Sequence, residues 1–212
     1  MPARYAIYFA PARESQLWER AQDWLAQPDL EPLTVSARKY GFHATLKAPM
    51  TLALDTAELD AALAAFVDEH NAVTLSGLAP RLIDGFLALT TKPQPDQLTD
   101  FAADVVEAFE PFREPLSEAE RARRLKASLT PRQIELVDQY GYPYVLEQFL
   151  FHMTLTDRLP AEMREPMRER ALDWFAAVLA EPVRLDRLVV FAEPEPGAAF
   201  ERLDPDYVLR GA

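Results

Sequence analysis

The sequence contains no cysteine. Disulfide frameworks, thiolate zinc sites, iron–sulfur clusters and cysteine nucleophiles are therefore excluded. Glycine is scarce, with six in 212 residues, at positions 41, 77, 85, 141, 197 and 211. No two stand close enough for a Walker loop or a dinucleotide-binding turn. No serine has glycines two residues to either side, so the nucleophile elbow is missing as well. No apolar run approaches the ~18 residues that cross a bilayer, and the N-terminus has no signal-peptide plan. A cytoplasmic protein without a membrane partner is expected. Positive charge is the minority, with 22 Lys and Arg against 34 Asp and Glu and a net charge of −12. That balance argues against long nucleic acid as a partner. It leaves room for a local basic pocket. Histidine, carboxylate and hydroxyl chemistry remain.

The elements read clearly in the first third. Arg4 to Ala10 is a short aromatic and β-branched run stopped by Pro11, which predicts a strand. Leu17, Ala21, Trp24 and Leu25 fall at helical spacing. Gly41 to Ala48 predicts a second strand. Asp55 to Glu58 forms a capping box ahead of a helix carrying Leu59, Leu63, Phe66 and Val67. His70 reads as an exposed residue at its end. Val73 to Leu82 and Phe86 to Thr91 flank the hairpin signal Asp84-Gly85. The middle, 93–147, is helical in character, with capping boxes at Ser117–Glu120 and Thr130–Gln133. A strand over Gln148–Thr156, a helix through Met167, Ala171, Trp174, Phe175 and Val178, and strands over Val183–Ala192 and Ala199–Leu203 complete the chain.

The order strand, helix, hairpin thus occurs twice. It predicts a single α+β domain, bilobal and pseudo-twofold, with an antiparallel sheet in each lobe, helices on the outer faces and a cleft between. One lobe spans about 12–92 and the other about 148–212. The helical insertion of 93–147 lies between them, and strand 4–10 pairs into the sheet system.

The repeat is sharpest at one place. Phe42-His43-Ala44-Thr45-Leu46 matches Phe151-His152-Met153-Thr154-Leu155 at four of five positions, and two of the three histidines sit in these pentads. Strand alternation puts Phe42, Ala44 and Leu46 on one face and His43, Thr45 and Lys47 on the other. In the second strand His152, Thr154 and Thr156 share the polar face. Two imidazoles can supply an acid and a base near neutrality. Two hydroxyls can donate to the non-bridging oxygens of a phosphoryl centre as charge builds there. No cofactor and no metal is required by this chemistry. Structural histidines, or a zinc pair completed by a carboxylate, are the competing readings.

Two H-x-T motifs on strands of a duplicated α+β fold resemble the 2H phosphoesterase superfamily. The longer string Tyr40-Gly41-Phe42-His43-Ala44-Thr45-Leu46-Lys47-Ala48-Pro49, with Phe151-His152-Met153-Thr154-Leu155-Thr156 downstream, resembles its DUF1045 branch, which is linked to phosphonate metabolism. The resemblance runs from Arg4 to the C-terminal hairpin. It implies an active cleft between the lobes and bacterial relatives near carbon–phosphorus lyase genes.

Basic and aromatic residues supply the remaining candidates. Arg38, Lys39 and Lys47 lie in one acid-free stretch, and Arg121, Arg123, Arg124, Lys126 and Arg132 in another. Lys47 and Arg124 are assigned to the substrate. The second stretch reads equally well as a solvated helix face. Ile7 and Phe9 belong to the core face of their strand, which leaves Tyr8 on the open face with Arg4. Tyr142 and Tyr144 flank Pro143 before the second motif, and Tyr144 is the candidate carried forward.

The expected function is a metal-independent phosphoesterase acting on a small cyclic or linear phosphodiester. His43 and His152 are catalytic, and Thr45, Thr154, Lys47, Tyr8, Thr156, Arg124 and Tyr144 bind substrate. Alternatives are processing of RNA 2′,3′-cyclic or 2′,5′ ends and non-catalytic binding of a phosphorylated ligand. The oligomeric state is not read from the sequence.

Overall fold

A computed structural model describes residues 3–212. One curled antiparallel sheet dominates it. Strand β1 is Arg4–Phe9, β2 Ala44–Met50, β4 Ala79–Ile83, β5 Phe86–Thr90, β6 Met153–Thr154, β8 Arg187–Glu193, β9 Glu201–Arg202 and β10 Tyr207–Val208. Their order is β10-β8-β1-β2-β6-β5-β4, with β9 paired to β8. Strands β3, Val73–Leu75, and β7, Val183–Leu185, form a separate two-stranded sheet. The run expected as continuous over 73–82 is interrupted at Gly77, whose φ is +66°.

Helices cover one face. They are α1 Gln16–Ala26, α2 Val35–Tyr40, α3 Thr56–Glu69, α4 Asp96–Ala108, α5 Glu118–Arg124, α6 Pro131–Tyr140 and α7 Ala161–Phe175. All three predicted capping boxes form, at Asp55/Glu58, Ser117/Glu120 and Thr130/Gln133. The main core joins Phe42, Ala44, Leu46, Phe151, Met153 and Leu155 to Trp24, Leu63, Phe101, Val105, Met167 and Phe175. Strand β1 shows why the other face is available. Ile7 and Phe9 enter that core, whereas Ala6 and Tyr8 belong to a smaller cluster with Val189, Phe191 and Phe200 on the opposite side. Period-two alternation sorts them. His70 is half-buried and stacks on Phe66 with centroids 3.8 Å apart, so it is not the exposed helix end expected.

The halves of the sheet do not follow chain order. Strand β8, from the segment expected to accompany the second motif, pairs with β1 on the side of the first. The β4–β5 hairpin, from the segment expected with the first motif, pairs with β6 and so flanks the second. The second motif's strand is also much shorter than the expected 148–156. Side chains replace its ladder: the Phe151 N–H donates to Gln94 Oε1 at 2.7 Å, and the Phe151 carbonyl accepts from Thr90 Oγ1 at 2.5 Å.

Candidate functional site

Strands β2 and β6 are neighbours and run antiparallel, with Ala44 opposite Met153. This register brings His43 beside Thr154 and Thr45 beside His152. Side chains directly opposite on one face of such a pair stand about 4.5–5.5 Å apart at Cβ. The four polar side chains therefore form one patch, related by an approximate twofold through the Ala44–Met153 pair. All four line a single cavity of about 520 Å³.

The two imidazoles are anchored alike. His43 Nδ1 donates to the Gly41 carbonyl at 3.0 Å, and His152 Nδ1 to the Leu150 carbonyl at 2.8 Å. In each case the acceptor lies two residues upstream. A protonated Nδ1 leaves Nε2 as the free ring nitrogen. At His43 the Thr45 hydroxyl donates to Nε2 across 3.3 Å. Gly41 itself adopts φ +72°, and a Cβ there would meet the Phe191 ring at 3.1 Å. Only glycine gives the carbonyl this direction without strain.

Burial makes the pair unequal. The Tyr8 ring stacks on His43, while His152 has only the tilted Phe86 ring with centroids 5.7 Å apart. Desolvation pushes the His43 pKa down to about 4, and a proton on His152 would oppose one on His43 further. His152 is also lowered by desolvation. Both rings are thus neutral near pH 7. Burial raises the Tyr8 phenol well above its ordinary value, so it is a neutral hydroxyl.

The flanks are stitched together across the sheet. Trp24 Nε1 donates to the Leu155 carbonyl at 3.0 Å beneath the second motif. The Ser36 N–H donates to both carboxylate oxygens of Asp157, at 3.0 and 3.2 Å, and the Asp157 N–H to the Leu33 carbonyl at 2.7 Å. Helix α2 is thereby held over the pocket, and Ser36 and Tyr40 enter its wall.

Of the residues singled out from sequence, His43, Thr45, His152, Thr154, Tyr8 and Arg124 line this cavity. Three others do not. Lys47 is turned to the core side by a β-bulge. Tyr8 pairs with Thr45, but the adjacent Ile7 pairs with Lys47, so one extra residue of β2 is accommodated and the alternation flips. The ammonium of Lys47 is buried, donating to the Val106 carbonyl at 2.9 Å and to Glu110 at 2.5 Å. Thr156 is wholly buried, and its hydroxyl accepts the Leu87 N–H at 3.0 Å. Tyr144 is exposed and packs edge-on against Tyr142, which is the tyrosine that lines the cavity. Arg4, Arg123, Ser36 and Tyr40 complete the wall. The acid-free stretch from Arg121 to Arg132 contains Arg123. Tyr40 heads the string around the first motif but was not assigned to the site, and nothing in the local pattern pointed to Ser36. Among the described residues no group of three or more His, Asp or Glu side chains is placed to hold a metal ion. No helix there is long and apolar enough to cross a membrane.

Comparison with known proteins finds curated relatives, solved structures and a family model similar to this chain. "Ribose 1,5-bisphosphate phosphokinase PhnN" of Janthinobacterium sp. (strain Marseille) is 37 % identical over 93 % of this chain and 49 % of the relative. The protein of the same name from Laribacter hongkongensis (strain HLHK9) is 32 % identical over 93 % of this chain and 50 % of the relative. The chain spans about half the length of these curated relatives. Solved structures that align with it include E. coli LigT complexed with phosphate, at TM-score 0.49 and 13 % identity over 98 % of both chains. E. coli LigT complexed with 3′-AMP aligns at TM-score 0.48 and 14 % identity over 99 % of both chains. The family model described as "Protein of unknown function (DUF1045)" matches residues 45–201, most of the sequence and the whole of the second motif, and the chain belongs to the DUF1045 family.

Proposed function

We propose that the protein hydrolyses a small cyclic or linear phosphodiester by two-histidine acid–base catalysis. The observation that carries this reading is the antiparallel pairing of the two H-x-T strands, which brings His43, Thr45, His152 and Thr154 to the wall of one cavity. One neutral imidazole accepts a proton at Nε2 from the attacking water as the new P–O bond forms. The other, protonated at Nε2, gives its proton to the leaving oxygen as the old P–O bond breaks. Thr45 and Thr154 donate to the non-bridging oxygens, where charge rises in the transition state. Acid, base and oxyanion donors are all side chains, so the chemistry needs no metal ion.

The depressed imidazole pKa values keep the base in its unprotonated form. The acid needs its proton back, and the bound phosphodiester provides the means. An anion in contact with an imidazole favours its charged form and so opposes the desolvation of the empty cavity.

The relatives' names support a phosphorylated ribose as the substrate, in the setting of phosphonate metabolism. The phosphokinase activity in those names is not assigned to this chain, which has no glycine-rich phosphate loop. The net charge of −12 favours a small ligand over a long RNA. The test is turnover of nucleoside 2′,3′-cyclic phosphates and bis(4-nitrophenyl) phosphate by purified protein in EDTA. Activity lost in both His43→Ala and His152→Ala supports the proposal. Activity that survives either change, or that needs an added metal, rejects it.

A further inference from the structure

Helix α5 ends in three arginines with different fates. Arg121 pairs with Asp138 at 2.6 Å, away from the cavity. Arg123 and Arg124 line the cavity. Among the described residues neither makes an ion pair, and Arg124 Nε is buried with no hydrogen-bond partner. The neighbouring acid is otherwise engaged. The Glu120 carboxylate accepts from the Ser117 N–H at 3.1 Å and the Ser117 hydroxyl at 2.8 Å, closing the capping box. The Arg124 guanidinium instead stands near the Tyr142 face, 5.9 Å from its centroid.

Other arginines among the described residues also make no ion pair, but Arg124 is the one with a side-chain donor that is buried and unmet, and it stands at the cavity wall beside Arg123. Two adjacent guanidinium groups at a cavity wall, one of them with a buried unmet donor, call for an external anion, because an unsatisfied buried donor costs free energy that a ligand removes. Interaction with the helix dipole does not account for them, since an exposed guanidinium serves that purpose equally. The same anion is not the reacting one. The H-x-T patch already presents two imidazoles and two hydroxyls to a phosphoryl group. Arg124 packs against Tyr142, whereas His43 meets Tyr8 and Thr45 and His152 meets Phe86 and the Leu150 carbonyl. Arg4, across the wall, is held by Glu193 at 2.6 Å.

We propose that Arg123 and Arg124 form a second anion seat, and that the substrate is a small phosphodiester bearing a further, terminal phosphate. The proposal rests on the phosphodiesterase reading above and adds the chemical class of its substrate. A planar guanidinium presents parallel N–H donors to phosphate oxygens, and two of them match a dianion better than a carboxylate. The cavity of about 520 Å³ is of a size for a small molecule with two such groups.

Calorimetric titration tests this without turnover, using ribose 5-phosphate and ribose 1,5-bisphosphate as probes. The expected result is a preference of about 10- to 100-fold for the bisphosphate in the unmodified protein. That preference should shrink as salt rises and be largely lost in Arg124→Met. Equal binding of the two probes, or a preference unchanged in Arg124→Met, overturns the proposal. If Arg124→Met does not fold, Arg124→Lys keeps a charge but lacks the fork, and should retain only part of the preference. A preference that persists when every diester resists hydrolysis leaves the seat and removes the reaction. Hydrolysis without any preference leaves the reaction and removes the seat.

Discussion

The phenol ring of Tyr8 lies flat on the imidazole of His43, with centroids 3.8 Å apart and planes 16° from parallel. The contact follows from register, since Tyr8 pairs with Thr45, two residues beyond the histidine. It fixes the ring and keeps water from one of its faces. Tyr8→Phe keeps the stack, whereas Tyr8→Leu removes it. Such aromatic pairs contribute about 0.5–1.5 kcal/mol beyond area burial. NMR titration of His43 should find its pKa climbing from about 4 toward the ordinary 6.5 in Tyr8→Leu and staying low in Tyr8→Phe. A His43 titration unmoved in Tyr8→Leu would show that the stack does not shield it.

The lowered pKa of His43 makes stability depend on pH in a fixed direction. The unfolded chain takes up a proton near pH 6.5, and the fold resists doing so until about 4. Between those values the unfolded state binds more protons, so stability falls as the pH falls. The contribution is fully present above 6.5 and declines steadily below it. Urea denaturation at pH 7.5, 6 and 5 should show a steeper loss for the native sequence than for His43→Gln. Parallel slopes would remove the effect.

Thr45→Val and Thr154→Val keep strand preference and shape while deleting one hydroxyl each. On a confirmed substrate each should lose about 10²- to 10³-fold in turnover with an unchanged melting temperature. Because the Thr45 hydroxyl also meets His43 Nε2, Thr45→Val should in addition shift the pH profile. Turnover retained in both variants would make the hydroxyls structural.

Lys47 should behave as a stability residue. Its ammonium joins β2 to the end of α4 through Val106 and Glu110, and Arg113 shares the same carboxylate at 2.5 Å. Lys47→Met leaves the Val106 carbonyl without this donor, while Arg113 keeps Glu110 compensated. The expected loss is about 1–3 kcal/mol, seen as a lower melting temperature, with KM of the folded protein unchanged. A raised KM at native stability would return Lys47 to the substrate.

What was legible in the sequence had a period or a cap behind it. The paired motifs, the core face of Ile7 and Phe9 and the three helix starts follow from alternation and from capping chemistry. Lys47 was misread because the bulge in β2 inserts a residue that no hydropathy pattern marks. Thr156 failed for a related reason: beyond β6 the ladder becomes irregular, and both Leu155 and Thr156 donate to the Leu87 carbonyl. Tyr142 and Tyr144 stand in a loop, where no period tells inside from outside. Ser36 and Tyr40 reach the cavity through the bonds between Asp157 and the 33–36 segment, which join parts of the chain that are distant in sequence.

The pairing of β1 with β8 also dictates an order of assembly. Arg4 meets Glu193 and Tyr8 meets Val189, contacts that span nearly the whole chain and carry the full entropic penalty of closing it. During synthesis β1 can dock on β2 early, but its other edge stays open until β8 has left the ribosome. Tyr8, Val189 and Phe191, which close one wall beside His43, come together only at that stage. The cavity face is therefore completed last, and a nascent chain stopped before residue 187 would expose a hydrophobic strand edge to chaperones or to other copies of itself.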